Sequence, residues 1–142
     1  MRYAHRTQVP VDRSRAEIER LVTRYKADQF GSALDLDKGR AMIQFRISSW
    51  LVRFILPLPN RNEQDQRQRW RALVLVIKAK LEAVESRITT FEEEFLPHIV
   101  TPRGDTFADW AVPQLRAMKE RGELPNKIFG ELEDRRGEKP TT

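Results

Sequence analysis

At 142 residues the chain has the length of one domain, enough to bury a self-sufficient core. It has no cysteine, which excludes disulfides and thiolate zinc sites, and no apolar run approaches the roughly 18 residues a membrane-spanning helix needs. The net charge of +5 is unevenly placed: residues 1–80 hold 17 Lys/Arg against 8 Asp/Glu, and residues 81–142 hold 9 against 13. Such asymmetry predicts either a basic face that attracts a polyanion or, if folding mixes the halves, a surface without a patch.

Met1-Arg2-Tyr3-Ala4-His5-Arg6 is basic but leads into no hydrophobic segment, so no signal peptide is expected and a cytoplasmic setting follows. Val9-Pro10-Val11 reads as the end of an extended arm. Ser14-Arg15-Ala16-Glu17 has capping-box spacing. Ile18, Leu21, Val22 and Tyr25 then recur at helical intervals, predicting an amphipathic helix over about 14–27.

Residues 29–36 are a weaker strand candidate, and Asp37-Lys38-Gly39 is a hairpin loop with Gly for the left-handed position. Setting Leu36 near Arg40 opposes Gly31 to Phe45 and Ala33 to Ile43, and turns Phe30 to the outer face. The next hairpin is the strongest signal in the chain. Ala41, Ile43, Phe45 and Ile47 alternate on one strand, and Trp50, Val52, Phe54, Leu56 and Leu58 on the next. Ser48-Ser49 lies between them, the length of a two-residue turn. Pairing Ile47 with Trp50 puts Phe45 opposite Val52 and Ile43 opposite Phe54, so both apolar sets share one face.

Pro57-Leu58-Pro59-Asn60 ends that strand. A long helix follows, starting within 60–66 and ending near 89. Trp70, Leu73, Val74, Ile77, Leu81, Val84 and Ile88 form one apolar stripe, with Ala72, Leu75, Val76, Ala79 and Ala83 beside it. So wide a stripe implies burial on more than one side, against another helix or a second subunit of a homodimer. Thr90-Phe91-Glu92-Glu93 is a second capping box. Phe107, Trp110, Leu115 and Met118 mark a last helix over about 106–121, with Pro113 inside it and Gly122 as its stop. The fold class is therefore α+β: an N-terminal helix, a three-stranded antiparallel β-meander, a long packing helix and a small helical C-terminal part. One domain is expected over 1–122, with 123–142 a largely disordered tail, most clearly at 131–142.

Candidate chemistry is sparse. On the outer face of the hairpin, Gln44 sits opposite Arg53 and Arg46 opposite Leu51. Arginine and glutamine on a sheet can contact phosphates or base edges. Arg67, Arg71 and Lys78 share one side of the long helix, where a phosphate backbone would bind with steep salt dependence. Gln44, Arg46, Arg53, Arg67, Arg71 and Lys78 are thus the candidate nucleic-acid contacts. A protein interface or a solvated charged face accounts for the same residues. Glu92, Glu93 and Glu94 spread around a helix N-terminus and are explained by its dipole. Glu94 and His98 share a face, but a catalytic metal site needs a third ligand. No P-loop, dinucleotide fingerprint, nucleophile elbow or zinc signature occurs. A non-enzymatic protein without cofactor or metal is the expectation.

Several segments together carry a resemblance. Thr7 to Val11, Ser14 to Glu19, Ala27 to Phe30, Val52 to Pro59, Arg69 to Leu73 and Ile77 to Val84 resemble small uncharacterised proteins of tailed bacteriophages and prophages, over residues 3–122. That resemblance implies a phage accessory protein acting in the bacterial host cytoplasm. It supplies no activity and no functional residues. Two roles suit that setting: binding nucleic acid or a nucleoprotein through a basic face, or docking as an inhibitor or adaptor on a host protein such as a defence system or polymerase.

Overall fold

The computed structural model describes residues 2–130, and side chains from Val11 onward. The chain forms two compact units, 1–108 and 109–142. In chain order the elements are α1 (Arg2–Arg24), β1 (Gln29–Asp35), β2 (Arg40–Ile47), β3 (Trp50–Pro57), α2 (Glu63–Glu85), the short α3 (Phe91–Phe95) with a 3₁₀ turn over Leu96–His98, and α4 (Phe107–Glu120). The tail expected at 131–142 lies outside the described residues.

The sheet is an antiparallel meander in the order β1-β2-β3. Its β2–β3 register is the one the apolar alternation dictates, with Ile47 opposite Trp50, Phe45 opposite Val52 and Ile43 opposite Phe54. Ser48 and Ser49 both take positive φ, 49° and 70°, as a two-residue turn matched to strand twist requires. The β1 register differs from expectation by one residue. Asp35, not Leu36, closes the loop against Arg40, so Phe30 faces Phe45 and Ser32 faces Ile43. A one-residue slip exchanges the two faces, and Phe30 packs against the core instead of pointing outward. Gly39 has φ 58°, and a Cβ there would meet the Leu58 carbonyl oxygen at 3.1 Å. That close approach serves the 2.7 Å bond from the Leu58 amide to the Gly39 carbonyl.

The inner sheet face is covered by α1 and α2. Ile18, Leu21 and Val22 of α1 meet Trp70, Leu73, Val74, Ile77 and Leu81 of α2 in one core with Ile43, Phe45, Val52 and Phe54. At the β3 side, the Phe95 ring stands edge-on to Phe45 and Phe54, with centroids 6.2 Å and 6.3 Å away. Its helix is held by a complete capping box between Thr90 and Glu93. Beyond it, Ile99 bridges to Val52, so the chain lies along the outer edge of β3.

The N-terminal segment is helical where an extended arm is expected, and Ser14 sits buried in the middle of α1 instead of capping it. Once the Ile18–Val22 face nucleates a helix against the core, extending it toward the N-terminus adds one hydrogen bond per residue fixed. At the other end of the long helix, α2 stops at Glu85. Arg87 takes φ 64°, and the Ile88 amide turns back to the Ala83 carbonyl. Ile88 therefore leaves the apolar stripe and is 83% exposed.

Candidate binding surfaces

Three surfaces present side chains that could engage a partner, and the six basic or amide candidates fall on two of them. Gln44, Arg46 and Arg53 lie on the outer sheet face, in rows with Gly31 and with Leu51. Arg67, Arg71 and Lys78 lie on α2, which covers the inner face. Sheet and core separate the two groups, so the six do not make one basic surface.

The outer-face arginines are tied down from within the fold. Arg46 makes a bidentate pair with Asp28, Nε to Oδ1 at 2.9 Å and a terminal nitrogen to Oδ2 at 2.7 Å. The hydrogen bonds from Arg46 hold the Asp28 carboxyl below its ordinary range, and the same bonds raise the arginine. Arg53 donates to Gln44 Oε1 at 3.3 Å and to the Gly104 carbonyl at 2.8 Å. Beyond the Gln44–Arg53 row, Ile55 lies opposite Met42 and is 41% exposed.

On α2, Arg71 donates to Glu17 of α1 at 2.8 Å, while Arg67 and Lys78 project from the exposed side. The second apolar stripe stays open to solvent: Leu75 and Val76 remain 53% and 45% exposed, and Ala72 and Ala79, a turn before and a turn after them, are exposed too. Concavities are shallow and open to solvent. One of about 580 Å³ is walled by Asn60, Asn62 and Gln64 near the start of α2.

For the third surface the sequence pattern predicts a helix and no more. No residue of α4 is buried, and Trp110, Leu115 and Met118 are 57%, 52% and 39% exposed. At 100° per residue these three fall on one side of the helix. Nearby in sequence, Ile128 and Phe129 are also exposed. Spacing reveals such a stripe, but it cannot distinguish a side that packs from one that stays open.

The acidic and histidine candidates are accounted for locally. Glu93 completes the cap of α3, and Glu94 accepts from Lys80 at 3.3 Å. The His98 ring stacks on Phe54 at 4.1 Å between centroids; burial, then the charge of Lys80, lowers its pKa. Among the described residues, no group of three or more His, Cys, Asp or Glu side chains could hold a metal ion, and no helix is long and apolar enough to cross a membrane. No protein-family model, curated protein or solved structure matches the chain.

Proposed function

We propose that the protein is a non-enzymatic accessory protein that works by docking on another protein, with α4 as its principal contact. The observation that carries this reading is the unburied amphipathic helix. Trp110, Leu115 and Met118 form one apolar side, the arrangement by which a helix seats in a groove of a partner. Tryptophan is a frequent anchor of such contacts because its large ring loses little rotamer entropy on burial. The resemblance to phage proteins supplies a setting, in which the partner is a host protein whose activity is blocked or redirected by occlusion.

Binding of nucleic acid is the weaker reading. Its six candidate residues are divided between opposite sides of the sheet, and three of the arginines already hold internal acceptors. A phosphate would have to displace or share those acceptors, which reduces the gain from each contact.

The test compares the wild-type chain with Trp110→Ala, Leu115→Glu and an Arg67→Glu/Lys78→Glu double variant, each shown to fold by circular dichroism. The reading expects a host protein to be retained at 0.5 M salt by the wild type and the double variant, and lost by both α4 variants. It also expects no submicromolar binding to labelled single- or double-stranded DNA or RNA. Submicromolar nucleic-acid binding that falls steeply with salt, and is lost in the double variant, would overturn it.

A further inference from the structure

We infer that the outer edge of β1 pairs antiparallel with β1 of a second copy of this chain, joining the two three-stranded sheets into one. The inference is independent of the α4 reading, since it uses neither that helix nor its partner. The two edges of the sheet differ. Along β3 the chain at Ile99 and Val100 occupies the outer side, with the Val100 amide donating to the Leu51 carbonyl at 2.8 Å. Among the described residues nothing does so for β1, and no hydrogen bond joins its backbone to anything but β2. Every second residue of such a strand turns an amide and a carbonyl outward, and another strand matches them in direction and spacing. Edges that stay single are blunted by charge, proline or a bulge. Phe30-Gly31-Ser32-Ala33-Leu34 has neither charge nor proline, and the pairing of β1 with β2 runs its full 7 residues without a break.

Side-chain placement selects the occupant. A twofold axis normal to the sheet keeps the helix-covered faces of both copies on one side, so inner-face residues oppose inner-face residues. Phe30, Ser32 and Leu34 are the inner set, being opposite Phe45, Ile43 and Ala41. With the axis at Ser32 the whole strand overlaps. Ser32 then meets Ser32 of the second copy, Phe30 meets Leu34, and on the outer face Gly31 meets Ala33. Leu34 is 61% exposed in the single chain. Beside Phe30, α1 and β1 leave an open concavity of about 540 Å³ bounded by Asp12, Arg15, Ala16 and Glu19. Leu34 of the second copy enters it against Phe30, and the exchange is reciprocal. Moving the axis to Gly31 or Ala33 would set Phe30 or Leu34 against Ser32 and shorten the overlap. The strand is therefore complementary to itself in one register. No ion pair of the single chain is broken: Arg15 keeps Asp12, and Asp35 keeps Arg40. One strand buries less than the roughly 800 Å² per partner of a standard interface, so the dimer is a weak, concentration-dependent one.

Sedimentation equilibrium of the full chain over a hundredfold range of concentration reads the stoichiometry, and thiol cross-linking reads the register. The expected result is a monomer–dimer equilibrium. Leu34→Lys should weaken it by about tenfold or more, because it puts a charge on the edge and against Phe30. Trp110→Ala should leave it unchanged. The chain has no cysteine, so each introduced thiol is unique. Under mild oxidation the Ser32→Cys variant should link to itself, and Gly31→Cys should link to Ala33→Cys in a mixture. Gly31→Cys alone and Ala33→Cys alone should link more slowly. Opposite residues have Cβ atoms about 5 Å apart, and diagonal ones about 7–8 Å. Both rows are probed because close and wide pairs alternate along an antiparallel ladder. Residues 31–34 are all exposed, a Cβ on Gly31 meets nothing within 4 Å, and circular dichroism confirms folding of each variant. A strictly monomeric chain would overturn the inference. So would a dimer indifferent to Leu34→Lys, whose contact would lie elsewhere, for instance on α4. Cross-linking that is absent in both rows, or as fast for Gly31→Cys or Ala33→Cys alone as for the opposite pairs, would overturn the register and the inference with it.

Discussion

At the scale of single residues, local conformation and ring contacts decide more than residue type suggests. Lys26, Arg87 and Gly122 all take positive φ, each just past the end of a helix. In each case the next amide returns to a carbonyl five residues earlier: Ala27 to Val22, Ile88 to Ala83 and Glu123 to Met118. These are Schellman ends, and only the one with glycine was legible as a stop. Lysine and arginine carry no signal for the left-handed region, and they accept its strain because the closing hydrogen bonds offset it. His98 shows the same dependence on surroundings. Burial against Phe54 and the charge of Lys80 favour the neutral ring. Its folded pKa lies below that of the unfolded chain, so protonation favours unfolding, and the contribution to stability is complete above the unfolded value near 6.5. It is lost as pH falls through the folded value. Urea melts at pH 7.5 and 5 should show this loss in the wild type and a smaller one in His98→Phe, which keeps an aromatic ring on Phe54 but cannot titrate. Equal losses in both would remove His98 as the cause.

At the scale of elements, the two hairpins differ in how strongly their sequences specify them. The β2–β3 pairing was readable because nine alternating apolar residues from Ala41 to Leu58 allow only one register with a single buried face. Its turn was readable by length alone. Ser48 and Ser49 occupy a conformation that favours Asn-Gly, so a Ser48→Asn/Ser49→Gly variant should be stabilised by about 1 kcal/mol through relief of the left-handed strain. A higher urea midpoint at unchanged slope would verify it; an unchanged midpoint would mean that the serine turn is not strained. In β1, Gly31, Ser32 and Ala33 offer little to bury on either face. Those three residues do not fix its register. The pairing is settled by Phe30, which packs beside Phe45, and by the four-residue loop from Leu36 to Gly39. The long helix was readable in extent, but its second stripe was not readable in purpose.

At the scale of the whole molecule, stability comes from closing one sheet face with two helices. Ile77 is fully buried between α1, the sheet and the rest of α2, so Ile77→Ala should cost about 2–5 kcal/mol as a large-to-small change in a packed core. Denaturant melts measure this directly, and a loss near zero would mean that the core collapses around the missing side chain or is not packed as described. The surfaces left open are of different kinds: a sheet face with its arginines pinned, the outer side of α2, and α4 with no buried residue. These open surfaces, rather than a cleft, set the functional reading.

The class of fold, the β2–β3 register, the core stripe of α2 and the cap of α3 are legible in the order of residues. Each is written in a periodic pattern or a local motif whose partners lie within a few residues or across a tight turn. Tertiary structure alone decided which arginines have acids beside them, because Asp28 and Arg46 lie 18 residues apart and Glu17 and Arg71 lie 54 apart. It likewise decided which apolar stripes meet a neighbour. Apolar spacing records that a side can be buried; whether anything in the same chain covers it depends on where the other elements pack.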